Sequence, residues 1–403
     1  MNVDTRPARG FLFEMQTGLV SLPWGQLRLI ASVSLLIMVG MLNFAPLLPV
    51  IRAELGLSNT WAAMLGSATI LTHTLLQLPG GQVVDSLGPR RSVLLSLGIV
   101  GASVAASGVA PSFPLLLLAR LALGVGTAIG FVAGLAFTNS LVSAERRVMA
   151  QSVFGAGASL GILVVLLLSE RASVLGGWRA AFIVEGVSIL LLGWLIARKL
   201  RDGGAHSRVP VPRWSAIVRL PYLYLLGAAH VVTYGIFMGV TTWVVTFLVE
   251  NHGISLGWAG PLSALLTLSA LGGRFVGGTF SAGRERQVML AACALSALSV
   301  ALLPLLPGLP LTLGAMIAFG WFVSIPFGAI FAYASLVARR AASGRELSLV
   351  NFIANLGALA FPPLIGFALD TTASYTVAFG ILAAFGLATT AGLAAWLPKA
   401  KGG

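Results

Sequence analysis

Cysteine is almost absent: Cys293 is the only one in 403 residues, which excludes a disulfide framework and a cysteine-based metal site. Charge is scarce as well. Asp, Glu, Lys and Arg make up 9% of the chain, against about 25% in soluble domains, so the sequence cannot clothe a water-exposed surface. The period-two alternation of a membrane barrel strand is missing. So are a P-loop, a dinucleotide-type glycine arrangement, a nucleophile–base pair and a metal-ligand cluster, so no enzyme, cofactor or metal is expected. The first 27 residues lack a cleavable signal arrangement and read as a cytoplasmic tail.

What the chain does have is oil. Hydrophobic residues form 57% of it and the mean hydropathy is +0.95. A helix needs about 20 predominantly apolar residues to cross a bilayer, and helices or closed barrels alone satisfy every backbone group there. Apolar windows fall at 28–50, 59–82, 92–110, 113–138, 149–169, 178–198, 217–249, 257–281, 287–307, 309–337, 348–369 and 375–397. The expected fold class is therefore all-α integral membrane, with 12 transmembrane helices.

The net charge of +13 is not gathered in one basic domain, so nucleic acid is not an expected partner. It orients the chain instead. Arg90/Arg91, Arg146/Arg147, the stretch from Arg198 to Arg219, Arg284/Arg286, Arg339/Arg340/Arg345 and Lys399/Lys401 all fall on one side, with Arg52, Arg171 and Arg179 on the other. The positive-inside rule then puts both termini in the cytoplasm. The expectation is a multi-pass monomer of the cytoplasmic (inner) membrane, in contact with lipid.

The longest polar break, Lys199 to Arg219, divides the windows into six plus six. The expected domains are a tail 1–27, a six-helix bundle 28–198, a linker 199–216, a second six-helix bundle 217–397 and a tail 398–403. Internal repeats agree with that division. "LLQLPGG" (75–81) aligns with "LGGRFVGG" (271–278), and "WRAAF" (178–182) with "YTVAF" (375–379), both at an offset of 197; "ASLG" (158–161) aligns with "ANLG" (354–357) at 196. Duplicated halves with a site between them are a common transporter plan.

A polar group at bilayer depth is costly and is a functional hypothesis by default. Arg274 is the leading candidate, roughly 15 Å from the cytoplasmic end at about 1.5 Å per residue. A guanidinium fork donates two parallel hydrogen bonds to a planar oxyanion; pairing with a carboxylate or a helix end is its structural alternative. Gln77 is the first-half counterpart of Arg274 at the 197 offset, either a neutral partner in the site or glue between helices. His73, one turn away, and His230 are histidines, which titrate near neutrality, and are candidates for a coupled proton or for packing; His230 and Tyr234, one turn on, are also candidates for binding the substrate. Glu185 and Arg120 are further proton-coupling candidates. Asn43, Asn351 and Asn355 are candidate cavity-lining groups.

Gly81-x-x-x-Asp85-x-x-Gly88-Pro89-Arg90-Arg91 resembles the loop signature of the major facilitator superfamily, and "RLALGVGTAIGF" (120–131) resembles its fourth-span motif, with Arg120 in the matching place. The chain departs from the loop pattern at Ser86, where the family carries a basic residue, and at Ala282, where the second copy lacks its aspartate. The resemblance implies two pseudo-symmetric six-helix bundles and alternating access to a small-molecule substrate. It also implies that Gly81, Asp85, Gly88, Arg90 and Arg91 form a conformational latch, with topology anchoring as the other use of the arginines. Arg274 is similar in position to the anion-holding arginine of nitrate/nitrite and monocarboxylate porters. Nitrate-type porters keep an arginine in both halves; here the other is Gln77, which suits a monoanion. The "GWRAAFIVEG" segment around Glu185 resembles the sixth span of organic-anion symporters. The expected function is proton- or cation-coupled movement of a small organic or inorganic anion. A drug or metabolite exporter and a transporter-like sensor are the alternatives.

Overall fold

The computed structural model describes residues 23–142, 147–201, 214–281, 283–338 and 344–399. Ala282, Arg146 and the far ends of the two tails, all named above, lie outside the described residues. The structure is helical throughout, and no strand occurs among the described residues. In chain order the helical units, numbered as first to twelfth spans, are Trp24–Leu55, Asn59–Leu87, Pro89–Val109, Phe113–Ser140, Arg147–Ser173, Gly177–Lys199, Pro221–His252, Leu256–Phe280, Glu285–Leu302, Leu309–Ala338, Gly344–Thr372 and Tyr375–Trp396. Eleven stretches among the described residues are long and apolar enough to cross a membrane. The remaining unit, Asn59–Leu87, is a 29-residue helix with Pro79 inside it.

The ends follow from local chemistry. Gly56 and Gly253 stop the first and seventh spans in the left-handed conformation, which costs a glycine no Cβ clash. Ser58 accepts the Trp61 amide to start the second span, as N-cap serines do. Three spans are interrupted. The first breaks at Asn43 and continues through a 3₁₀ turn, Ala45–Leu47, that contains Pro46. The tenth breaks at Ile325 before Pro326, because proline cannot supply the next helical donor. The seventh holds one π-helical turn, Val231–Ile236.

Lipid offers no hydrophobic drive between helices, so close approach through small residues takes its place. A Cβ on Gly157 would lie 2.0 Å from the Ala31 carbonyl oxygen, and one on Gly161 2.5 Å from that of Leu35, which locks the fifth span to the first. In the second half the eleventh span meets the seventh in the same way, with Gly357 against Val231 and Gly235. Gly124 abuts Thr69, Thr72 and His73, joining spans four and two; Gly273 and Gly277 abut the Trp321 and Ile325 carbonyls, joining spans eight and ten.

Polar contacts repeat too. Trp178 donates to Glu54 at 2.7 Å and Tyr375 donates to Glu250 at 2.7 Å. Arg90 donates to the Ala197 carbonyl at 3.2 Å and Arg286 to that of Ala394 at 2.7 Å. Each pair sits 196 or 197 residues from its copy, the offset seen in the sequence repeats.

Contacts between the first six spans and the last six are concentrated in two pairings, second with eleventh and fifth with eighth. The cross-half contacts lie toward the end marked by Arg52 and Glu250. There Ser67 donates to the Leu359 carbonyl at 2.8 Å, Gly366 abuts Asn59, Gly260 abuts the Leu166 carbonyl and Arg52 pairs with Glu250. At the opposite, basic end, the bonds from Arg90 to the Ala197 carbonyl and from Arg286 to that of Ala394 each join spans of one half.

Candidate functional site

The second half builds a cationic and aromatic corner. Arg274 is exposed, and its guanidinium carbon lies 4.1 Å from the centre of the Phe327 ring on the tenth span. Phe327 meets His230 edge-on at 5.6 Å and Phe331 at 5.1 Å; His230 lies 5.9 Å from Tyr234. Arg274 is within electrostatic reach of both His230 and Tyr234. It has no hydrogen bond or ion pair to another described residue. The eighth span ends at Phe280, six residues after Arg274, so the Arg274 backbone lies about 9 Å from that helix end at 1.5 Å per residue. That is shallower than the sequence-based depth, because the helix stops short of Arg284 and Arg286.

The π turn contributes directly. It carries Thr233 and Tyr234, and such turns recur at functional sites because the inserted residue offsets the faces on either side. Thr233 donates to the His230 carbonyl at 3.2 Å, so its oxygen accepts from His230 Nδ1 at 2.8 Å. Asn351 hydrogen-bonds the same imidazole. Asn355, one turn on, is 2% exposed, and its amide nitrogen lacks a partner. An unpaired buried amide of this kind is costly.

The first half repeats the histidine pattern. Thr127 donates to the Gly124 carbonyl at 3.0 Å, so His73 Nδ1 donates to Thr127 at 3.0 Å and His73 Nε2 accepts from Gln77 at 2.9 Å. Both nitrogens of a neutral ring are thereby used. Gln77 is thus tied to His73 rather than held free.

Arg120, Asn43 and Glu185 come together inside the first half. Arg120 is fully buried and donates to the Gly40 carbonyl at 3.0 Å and to Asn43 at 2.9 Å. Its guanidinium lies between the Phe44 and Phe182 rings, 4.9 and 5.2 Å from their centres. Asn43 passes the chain on, donating to Glu185 at 2.8 Å, and Ser169 donates to the other carboxylate oxygen at 2.5 Å. Asn43, expected to line a cavity, is enclosed in this conformation. It is 0% exposed, and both ends of its amide are committed inside the first half, because a buried cation and a buried carboxylate each demand a partner.

Toward the Arg52 end a small pocket closes between the halves, with Met41, Phe44 and Ile70 on one side and Met238, Thr242 and Pro362 on the other. Asp85, the carboxylate of the expected latch, is exposed and has no hydrogen bond or ion pair to another described residue. Gly81 has open space around it, Gly88 turns with φ +80°, and Arg91 is exposed. Phe327, Phe331 and Asp370 were not legible as site residues. The aromatics look like ordinary oil, although Asp370 stands as close to its helix end as Asp85 does.

Two duplicated sets of helices, meeting at one end and carrying polar groups between them, define a membrane carrier. The chain belongs to the Major Facilitator Superfamily, whose family model matches residues 30–286. Among its relatives is the "Probable sulfoacetate transporter SauU" of Cupriavidus necator, 30% identical over 59% of this chain and 60% of that protein. The "Probable nitrate/nitrite transporter NarK2" of Mycobacterium tuberculosis is 28% identical over 77% of this chain and 80% of its own. The lincomycin resistance protein of Streptomyces lincolnensis is 30% identical over 51% and 43%. A bacterial homologue of the human lysosomal transporter Spinster, solved in an inward-facing, unoccupied conformation, shares the fold with a TM-score of 0.74 at 17% identity, covering 93% of this chain and 96% of that one. The protein is a multi-pass membrane transporter and not an enzyme.

Proposed function

We propose that this transporter moves a small monoanion across the cytoplasmic membrane by alternating access, coupled to a proton or cation, with both termini in the cytoplasm. One observation carries the reading. Arg274 presents a permanently charged guanidinium against an aromatic ring, with no carboxylate of the described residues to neutralise it. An exposed cation on a partly apolar wall is a ready receptor for an oxyanion. Gln77, its first-half counterpart, contributes no second charge, which favours a singly charged cargo. Relatives named for nitrate/nitrite and sulfoacetate support the anion class. Under the positive-inside rule, the basic end faces the cytoplasm, and the described contacts between the halves lie toward the other side.

Coupling falls to the buried Arg120–Asn43–Glu185 chain, where a carboxylate and a cation sit one side chain apart. His73 and His230 are the other candidates; in this conformation the hydrogen bonds of His73 suit a neutral ring.

Thermal-shift screening of the purified protein against small carboxylates and inorganic anions tests the reading, since a ligand that binds the folded state raises the unfolding temperature. The expected result is stabilisation by at least one monoanion, lost in Arg274→Ala with the variant still folded. Equal stabilisation of Arg274→Ala overturns the role of Arg274. Export is the second reading, favoured by the lincomycin resistance relative; comparing uptake with efflux in everted vesicles separates it from import.

A further inference from the structure

The second and eleventh spans run antiparallel and match in length: Asn59–Leu87 and Gly344–Thr372 are both 29 residues. Each carries an aspartate two residues before its last, Asp85 before Leu87 and Asp370 before Thr372. The two carboxylates differ in what they hold. Asp370 reaches across to the other half and closes the start of the second span. It accepts from the Asn59 amide at 2.8 Å, the Thr60 amide at 2.9 Å and the Thr60 hydroxyl at 2.6 Å. First-turn amides are unpaired within their own helix and carry its positive dipole end, so a carboxylate from the facing half is a strong and direction-specific partner. Asp85, at the equivalent place on the other helix, is exposed and holds no described residue.

We infer that Asp370 is a positioning residue of the transport cycle, the outer counterpart of the latch that the family resemblance implies for Asp85, so that caps at the two ends of one antiparallel helix pair alternate. With the halves in contact at the Arg52 end, Asp370 caps the second span. When they part at that end, the cap is pulled off and Asp85 reaches the first turn of the eleventh span. Glu346, in that first turn, points into its own half and accepts from Tyr222 at 3.1 Å. Each cap exists in one state only, so each biases the equilibrium by its own full strength, as a differential contact must. Identical lengths make the exchange geometrically even. A rocking motion that opens one end by a given angle closes the other by the same angle. This proposal does not depend on the identity of the cargo.

The test uses the full-length protein with paired spin labels. Cys293 is buried, so introduced cysteines are labelled selectively. Labels at Leu175 and Leu305 report the Arg52 end, and labels at Leu95 and Gln287 report the basic end; all four positions are exposed. Asp370→Asn is expected to raise the population open at the Arg52 end about tenfold, and Asp85→Asn to lower it. The double variant is expected to return close to the starting distribution, which a merely structural aspartate would not do. Asp370→Glu, which keeps the carboxylate, restores most of the effect. Monodisperse elution and an unchanged unfolding transition establish that each variant is folded. Distance distributions that do not move in Asp370→Asn, or that move the same way in both single variants, overturn the inference.

Discussion

The guanidinium carbon of Arg274 stands 4.1 Å from the centre of the Phe327 ring, and that ring also touches His230 and Phe331. The contact holds a flexible cation in one place without neutralising it, which a carboxylate partner would do. Cation–π contacts at accessible sites contribute about 0.5–1 kcal/mol, enough to orient the fork but too little to compete with an incoming anion.

Phe327→Leu removes the ring and keeps the apolar bulk. The expected outcome is a KM for the proposed anionic cargo about two- to five-fold higher, from the loss of about 0.5–1 kcal/mol, with the maximal rate close to unchanged. Initial-rate uptake into proteoliposomes measures both. A fall in maximal rate at constant KM would place Phe327 in the moving machinery instead.

Asn43 bridges a buried cation and a buried carboxylate. Hydrogen bonds to charged groups contribute about 1.5–3 kcal/mol each, and Asn43→Leu loses two of them. Thermal unfolding in detergent is expected to drop sharply for Asn43→Leu and much less for Glu185→Gln, which keeps the shape and the Ser169 contact.

Glycines of the fifth span divide into two kinds. A side chain on Gly157 meets the Ala31 carbonyl at 2.0 Å, whereas Gly155 has nothing within 4 Å. Gly157→Val is expected to cost about 1–3 kcal/mol or more through overpacking, read as poor yield of monodisperse protein. Gly155→Ala should be neutral or slightly stabilising, as alanine is the better helix former by about 1 kcal/mol.

Glu54 and Glu250 are copies with different reach. Glu54 is held by Trp178 and Arg179 of its own half, whereas Glu250 takes Tyr375 from its own half and Arg52 from the other. Glu250→Gln is therefore expected to favour opening at the Arg52 end and Glu54→Gln to leave the equilibrium in place. Exposed ion pairs are worth about 0.2–1 kcal/mol, so the shift for Glu250→Gln is a few-fold at most. The spin-label pair at Leu175 and Leu305 reads it.

The spans were legible because oil at membrane length is a one-dimensional signal. The repeats were legible because the glycines and aromatic–glutamate pairs that clamp each half recur at nearly one offset. Partnership was not. Nothing in the order of residues says that Asn43 would be consumed by Arg120 and Glu185, since their separations of 77 and 142 residues are bridged only when three helices converge. Asp370 was overlooked for a similar reason. Its value comes from the start of a helix 311 residues away, and no local pattern marks it. The π turn was hidden too, because one inserted residue leaves the apolar run intact.

The features that clamp helices recur in both halves, but several polar side chains do not: Arg274 of the second half corresponds to Gln77 of the first, and the seventh span holds a π turn where the first span, at the same offset, is α-helical. A molecule lying between these walls therefore cannot be turned end for end without exchanging a charged neighbour for a neutral one. On the proposed site, passage is polarised at the level of the cargo, which would travel in a single pose and keep the same shoulder to the same wall from one side to the other.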